Sequence, residues 1–442
     1  MKKHIWKKIL LVQAALITSL VMAVSMGAAV SLRGDLNSDG KVNTDDAIYL
    51  LYHTFSPDEY PTDQSADLNG DGKVNTDDAI YLLYYTFLPE EYPLAESVLP
   101  SDGLSFTLND NGESYSVSGI GSCTDEKIII PSVCNGKPVT AISAMAFENC
   151  TNVTEIKIPD SVTSIGSMAF YGCTGLKSIN IPKGVVSIQP GVFTLCENLE
   201  SITVSKDNTV YHSSGNCLID TAKKELTAGC KNSLIPTDGS VEIIGAGSFI
   251  GCTGLTGIAI PESVTIINSA AFIYCSGITE ITIPENVVYI GTGVFIGCVS
   301  LEKITVSPGN LRYQSTGNCL TDTASRLVIA GCKNSVIPSD GSVNAIGDGA
   351  FYGCAGLSST VIPDGVTSIG SEAFCGCFAL ENITIPASVT KISYCAFEDC
   401  TELTSIIFTG TKSRWEAIEK GEGWNNSTGD YTIHCTDGDI AK

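Results

Sequence analysis

Apolar residues return along most of this chain with a fixed step. The skeleton I-x4-F-x2-C-x2-L-x2-I-x-I-P starts at Ile142, Ile165, Ile188, Ile244, Ile267, Ile290, Ile346, Ile369 and Ile392. Every step is 23 residues except two of 56, so the nine copies fall into three triplets. Within each copy the L-x-x-I-x-I segment alternates, which predicts a short strand with its branched residues turned inward. The Phe and Cys of each copy then point into a stack, where the same residue of the next copy covers them. One such unit cannot bury a core alone, but stacked neighbours can. The pattern predicts a mainly β solenoid of nine coils, each about 4.8 Å from the next.

The two long steps carry matching insertions, "YHSSGNCLIDTAKKELTAGCKNSLIPTDGSV" from Tyr211 and "YQSTGNCLTDTASRLVIAGCKNSVIPSDGSV" from Tyr313. Each predicts a β-hairpin followed by a further strand. A partial echo from Ser122 predicts a starting cap over 104–141, ahead of a solenoid at 142–408. The tail from Gly410 breaks the pattern with a short helix and a strand, a closing cap over 409–442.

A second periodicity precedes the coils. "DLNSDGKVNTDDAIYLLYHTF" at 35–55 returns as "DLNGDGKVNTDDAIYLLYYTF" at 67–87. Asp35, Asn37, Asp39, Lys41, Asn43 and Asp46 occupy the ligand positions of an EF-hand calcium loop, with Gly40 at its turn. Asp67, Asn69, Asp71, Lys73, Asn75 and Asp78 repeat that register. Calcium is a hard cation needing six to eight oxygens, and alternate residues of a tight loop supply them. The lysines would give only their backbone carbonyls. A helix follows each loop, capped by Thr44 or Asp45 in the first copy. Ile48, Leu51, Tyr52 and Phe55 make an i, i+3, i+4, i+7 apolar stripe, and the expectation is that each copy buries its stripe against the other.

A loop with one helix, twice in tandem, resembles the dockerin module, which joins secreted proteins to cohesin domains of cellulosome-like scaffolds. The resemblance spans residues 34–93 and implies a small all-α unit holding two Ca2+ ions. It further implies that Thr44, Asp45, Leu51 and Tyr52, with Thr76, Asp77, Leu83 and Tyr84, read the cohesin. A linker at 94–103 would separate this unit from the coils.

Upstream of both patterns, Lys2, Lys3, Lys7 and Lys8 precede an apolar run from Ile9 to Val24 and small residues to Ala29. Basic, then apolar, then small is the order of a secretory signal peptide, assigned to 1–29. No later segment is long and apolar enough to span a bilayer, so the expected mature chain has no membrane span. The formal net charge of −23 repels phosphate backbones and disfavours nucleic acid.

The chain contains 18 cysteines. Nine sit at the repeat position, where parallel side chains suit burial better than bridging. Cys217/Cys230 and Cys319/Cys332 flank the predicted hairpins and could bridge them, and Cys375/Cys395 is a weaker pair. Catalytic residues are not found. His53, His212 and His434 stand apart from any nucleophile in usable geometry, and no G-x-S-x-G, H-E-x-x-H or phosphate loop occurs.

The coil pattern resembles the BspA-type leucine-rich repeats of bacterial surface and secreted proteins, over residues 115–437. Together the two resemblances imply a secreted, non-catalytic interaction protein in a polysaccharide-degradation setting. A cohesin would hold one end, and the solenoid would bind a protein or glycan through outward strand positions such as Lys157, Asn180, Thr203, Thr282, Thr305, Thr384 and Ile407. Tyr171, Tyr274 and Tyr352 are the candidate sugar platforms. The alternatives are a cell-surface adhesin or an accessory of a carbohydrate-degrading hydrolase.

Overall fold

A computed structural model describes residues 34–37, 39, 41–62, 66, 68, 74–89, 91 and 100–442. The proposed signal peptide and ligand positions Asp67, Asn69, Asp71 and Lys73 lie outside the described residues. The chain divides into two compact units, 1–99 and 100–442.

In the first unit two helices of identical length, α1 (Thr44–Phe55) and α2 (Thr76–Phe87), pack together. Their caps differ from the expectation. Asn43, not Thr44 or Asp45, accepts from Asp45 N at 2.6 Å, and Asp46 Oδ2 accepts from Asn43 N at 2.8 Å. Asn75 and Asp78 repeat this box. Two short polar side chains thereby satisfy N–H groups that the first helical turn leaves orphaned.

The buried face also differs. Ala47, Leu50, Ala79 and Leu82 make the core with Ala66 and Leu68, while the Ile48–Leu51–Tyr52–Phe55 stripe faces outward. Each helix carries two apolar registers one residue apart. The small pair Ala47/Ala79 lets the backbones approach, so the bulkier register is left outside.

The second unit is the solenoid. All nine repeat isoleucines lie on short parallel strands, such as Ser164–Ile165 paired with Ser187–Ile188. A second set of parallel strands carries the I-x-I segments, as Ser178–Ile181 pairs with Ser201–Val204. Alternation holds as expected: Ile179 and Ile181 are buried, Ser178 and Asn180 exposed. The segment at Ile258 forms no strand, having Gly257 where other coils place a side chain.

The core is a set of ladders. Phe147, Phe170 and Phe193 stack with centroids 5.6 Å apart. Phe351, Phe374 and Phe397 do so at 4.9 and 5.3 Å, and Trp424 closes that ladder edge-on. Beside the rings runs a ladder of thiols. Cys173 Sγ donates to the Phe147 carbonyl at 3.0 Å, and Cys196, Cys275, Cys298, Cys377 and Cys400 make the same bond to the Phe 26 residues upstream. All 18 cysteines are free thiols, the hairpin pairs included.

Two positions in every coil take left-handed backbone. At the fourth, Met145, Met168, Ala270, Glu372 and Cys395 have φ of 56, 54, 62, 54 and 47° where the other coils use glycine. At the eighth, Leu195 and Tyr274 have φ of 58 and 56°. Each coil therefore turns by the same strained corner whether or not glycine is present.

The ladders are interrupted at the insertions. Strands Tyr211–Ser214, Cys217–Asp220 and Glu225–Ala228 pair antiparallel, and the last joins Ile243–Ile244 in parallel to begin the next triplet. A Cβ on Gly229 would lie 2.0 Å from the Phe249 ring, and one on Gly331 would meet Phe351 at the same distance, so glycine lets each insertion lie flat on the next ring stack. The tail forms α3 (Lys412–Glu416) and closing strands, with Trp415 and Tyr431 buried.

Candidate binding faces

In the first loop every expected ligand position is described. Asp35 Oδ1 and Asn37 Oδ1 accept from Asp39 N at 2.9 and 3.0 Å, and Asp39 Oδ1 accepts from Lys41 N at 2.9 Å. Asp46 is fully buried, and its Oδ1 accepts from Leu36 N and Asn37 N at 2.8 and 3.2 Å. That carboxylate fastens the start of α1 to the start of the loop. Asp78 does the same through Leu68 N at 2.8 Å.

The donors are hard oxygens of carboxylates and amides, the set that suits Ca2+. Among the described residues, no group of three or more His, Cys, Asp or Glu side chains converges as a metal site by itself. The loop oxygens engage backbone N–H groups, so a cation held here would draw on Asn37, Asn43 and backbone carbonyls as well.

The outward helix faces are strongly apolar. Ile48, Leu51, Tyr52 and Phe55, with Ile80, Leu83, Tyr84 and Phe87, are between 40 and 76% exposed. Asp45, Thr76 and Asp77 are exposed at the helix starts, and Thr44 is half-buried. The eight residues expected to meet a partner thus lie at the surface of two identically built helices. Sequence reasoning missed that the whole stripe joins them. The signal was present in the alternative register, Ala47/Leu50.

On the solenoid, Lys157, Asn180, Thr203, Thr282 and Ile407 are exposed, and Thr305 and Thr384 are half-buried. Thr203 Oγ1 donates to Asn180 Oδ1 at 3.0 Å across coils. Tyr274 and Tyr352 come together over Gly297. The Tyr274 hydroxyl, with burial, pushes Tyr352 above the usual phenol range. Tyr171 stands in another triplet. His53 Nδ1 pairs with the Tyr60 carbonyl, His212 Nδ1 with Thr221 Oγ1 and His434 Nδ1 with Asp439 Oδ1.

Open grooves occur at the insertions. One of about 380 Å³ lies where Ser187–Ile188 meets the first hairpin. Another of about 440 Å³ lies between Ser335–Ile337 and Ser359–Val361. In the first, Asp220 is nearly buried and salt-bridged to Lys223 Nζ at 2.8 Å. Burial would raise its carboxyl, but the Lys223 ammonium and nearby backbone N–H groups outweigh that and hold it below the usual range.

The stacked Phe and Cys ladders with their 23-residue step match a family model described as the BspA type leucine rich repeat region, over residues 121–237, 220–325 and 327–420. The chain belongs to this BspA-type leucine-rich repeat family. Among curated proteins none matches it. Among solved structures, a leucine-rich cell surface protein from Faecalibacterium prausnitzii is 29% identical, covering 72% of this chain and 96% of that one, with a TM-score of 0.43. A leucine-rich repeat protein from Eubacterium ventriosum is 19% identical over 77 and 98%, with a TM-score of 0.41. The pneumococcal vaccine antigen PcpA is 17% identical over 75 and 83%, with a TM-score of 0.34. No helix among the described residues of this BspA-type chain is long and apolar enough to cross a membrane.

Proposed function

We propose that this is a secreted, non-catalytic interaction protein that joins two partners. Residues 34–93 form a calcium-dependent dockerin that plugs into a cohesin of a cellulosome-like, polysaccharide-degrading scaffold. The BspA-type solenoid presents a second surface to a protein or glycan, as leucine-rich repeat proteins bind other proteins. One observation carries the reading: two identically built helices expose matched rows of large apolar side chains. Monomeric proteins rarely leave such contiguous apolar surface uncovered unless a partner takes it.

Two Ca2+ ions would be held by the loop sets from Asp35 to Asp46 and from Asp67 to Asp78. Their chemistry is to neutralise crowded carboxylates and fix each loop to its helix. Asp46 and Asp78 do that fixing from the protein side, by accepting N–H groups from the opposite end of the loop. Residues 34–93 carry thirteen acids and two lysines, a repulsion that cations relieve.

The test is capture of cohesin modules by the full-length chain in calcium, against a Leu51→Glu/Leu83→Glu double variant. Both positions are exposed, so the variant keeps its fold. Binding by the native chain and its loss in the variant support the reading. Equal binding by both chains sinks it. If instead the native chain ignores cohesins but adheres to cell surfaces, the adhesin reading takes its place.

A further inference from the structure

The two insertions are built on one plan 102 residues apart, yet the surfaces they make differ in chemistry. At both, a buried tyrosine reaches back to the preceding coil. Tyr211 Oη accepts from Ile188 N at 3.0 Å, and Tyr313 Oη accepts from Ile290 N at 2.8 Å. At both, a nearly buried aspartate, Asp220 or Asp322, sits beside that tyrosine.

Beyond this shared floor the lining diverges. The first junction presents Gln189, Lys223, Glu225 and Thr227 to its groove of about 380 Å³. The second has Gly291, Ser325, Leu327 and Ile329 at the same places. It also has Arg312 where the first has Val210, and that guanidinium pairs with Asp322 Oδ2 at 3.0 Å. The fold therefore tolerates apolar residues at the places of Glu225 and Thr227, so their polarity is not a requirement of folding. Lys223 pairs with Asp220 as Arg312 pairs with Asp322, and its ammonium keeps an exposed side toward the groove.

That set has a distinctive balance. Glu225 has no hydrogen-bond or ion-pair partner for its carboxylate among the described residues, so it offers open acceptors. The Lys223 ammonium and Gln189 amide are exposed donors. Val186, Pro190 and Val210 add an apolar strip along the same groove. A ligand matching this surface has hydroxyls on its edge and a face of C–H groups. Pyranose rings have that amphipathic form, and the volume admits one or two.

We infer that the groove between Ser187–Ile188 and the first hairpin binds a saccharide. Glu225 accepts from ring hydroxyls, Lys223 and Gln189 donate to ring oxygens, and Val186, Pro190 and Val210 cover the C–H face. This site narrows the solenoid half of the proposed function to a glycan and gives it a place. It makes no use of the calcium loops or of the helices.

The test is calorimetric titration of the full-length chain with methyl glucoside, galactoside, mannoside and xyloside, and with the tetrasaccharides of glucose and xylose. Lysine amide serves as a cationic probe. The double variant Glu225→Leu/Thr227→Ile installs the residues that the second junction already carries, and Lys223→Gln removes the ammonium while keeping an amide that can donate to Asp220. The expected result is binding of at least one sugar, weakened about tenfold or more in both variants, because each loses a charge-assisted hydrogen bond. Failure of every sugar overturns the site, as does binding that both variants leave unchanged. Lysine amide binding as well as the best sugar also overturns it, by making the groove a cation site. Cohesin binding is measured on the same preparations. If it persists while sugars fail, the groove alone is wrong and the docking half stands.

Discussion

The hydroxyl of Tyr211 accepts the backbone N–H of Ile188 at 3.0 Å, filling the place that a strand of the next coil takes elsewhere in the solenoid. The insertion thus keeps a sheet-edge donor paired without continuing the sheet. Tyr211→Phe removes the acceptor and keeps the ring. A partly buried N–H left unpaired costs about 1–3 kcal/mol. Chemical denaturation should show a loss in that range for Tyr211→Phe and a matching loss for Tyr313→Phe. No change in either would mean that water takes over the role.

Neighbouring residues at a corner should respond with opposite sign. Ala270 has φ of 62°, and Ala271 beside it is fully buried under the ring ladder. Ala270→Gly relieves left-handed strain and should stabilise by roughly 0.5–1 kcal/mol. Ala271→Gly removes a packed methyl and frees the unfolded backbone, so it should destabilise by about 1 kcal/mol or more. Urea midpoints of the two variants decide it.

The thiol ladder sets an alkaline limit. Burial, then the neighbouring Cys150 thiol, pushes Cys173 up to about 12, and burial likewise raises Cys298 and Cys400 to about 12. An unfolded thiol titrates near 8.5, roughly. The folded value is the higher, so this stability is whole below the unfolded value and drains as pH rises towards the folded one. Each buried thiol contributes a slope of up to about 1.4 kcal/mol per pH unit in that window. Urea titrations from about pH 8 to about pH 10.5 should show falling stability, with a shallower fall in Cys173→Ala. Identical slopes would contradict the role given to the ladder.

The two apolar registers of α1 should separate stability from binding. Leu50 is fully buried, and Leu50→Ala should cost about 2–5 kcal/mol, enough to unravel the small unit. Phe55 is 76% exposed, and Phe55→Ala should leave the fold within about 0.5 kcal/mol while weakening cohesin capture. Amide exchange at α1, read beside a binding assay, makes the comparison.

How much of this was legible beforehand depends on whether one residue type settled the matter. Phe and Cys recur at fixed places, and only a stack of coils buries all of them, so the ladders could be read directly. The corners could not, because Met168, Ala270 and Glu372 carry no mark of left-handed backbone. The tyrosine bridges need a contact between residues 23 apart that no local pattern encodes. On α1, Ile48, Tyr52 and Phe55 outweighed Ala47 in bulk, which drew the expectation to the wrong face. Close helix packing favours the smaller side chains, and that selection appears only once both helices are placed. That residues 35–46 make a tight loop leading into α1 was legible from their alternating short polar side chains; the calcium such a loop would hold is part of the proposal.

The most direct measurement is calcium stoichiometry and cohesin affinity on one preparation of the full-length chain. Calorimetric titration should find two Ca2+ per chain, and Asp46→Asn with Asp78→Asn should abolish both sites. Cohesin should then bind in calcium and dissociate in excess chelator. No calcium uptake, or cohesin binding that survives the chelator, would contradict the account.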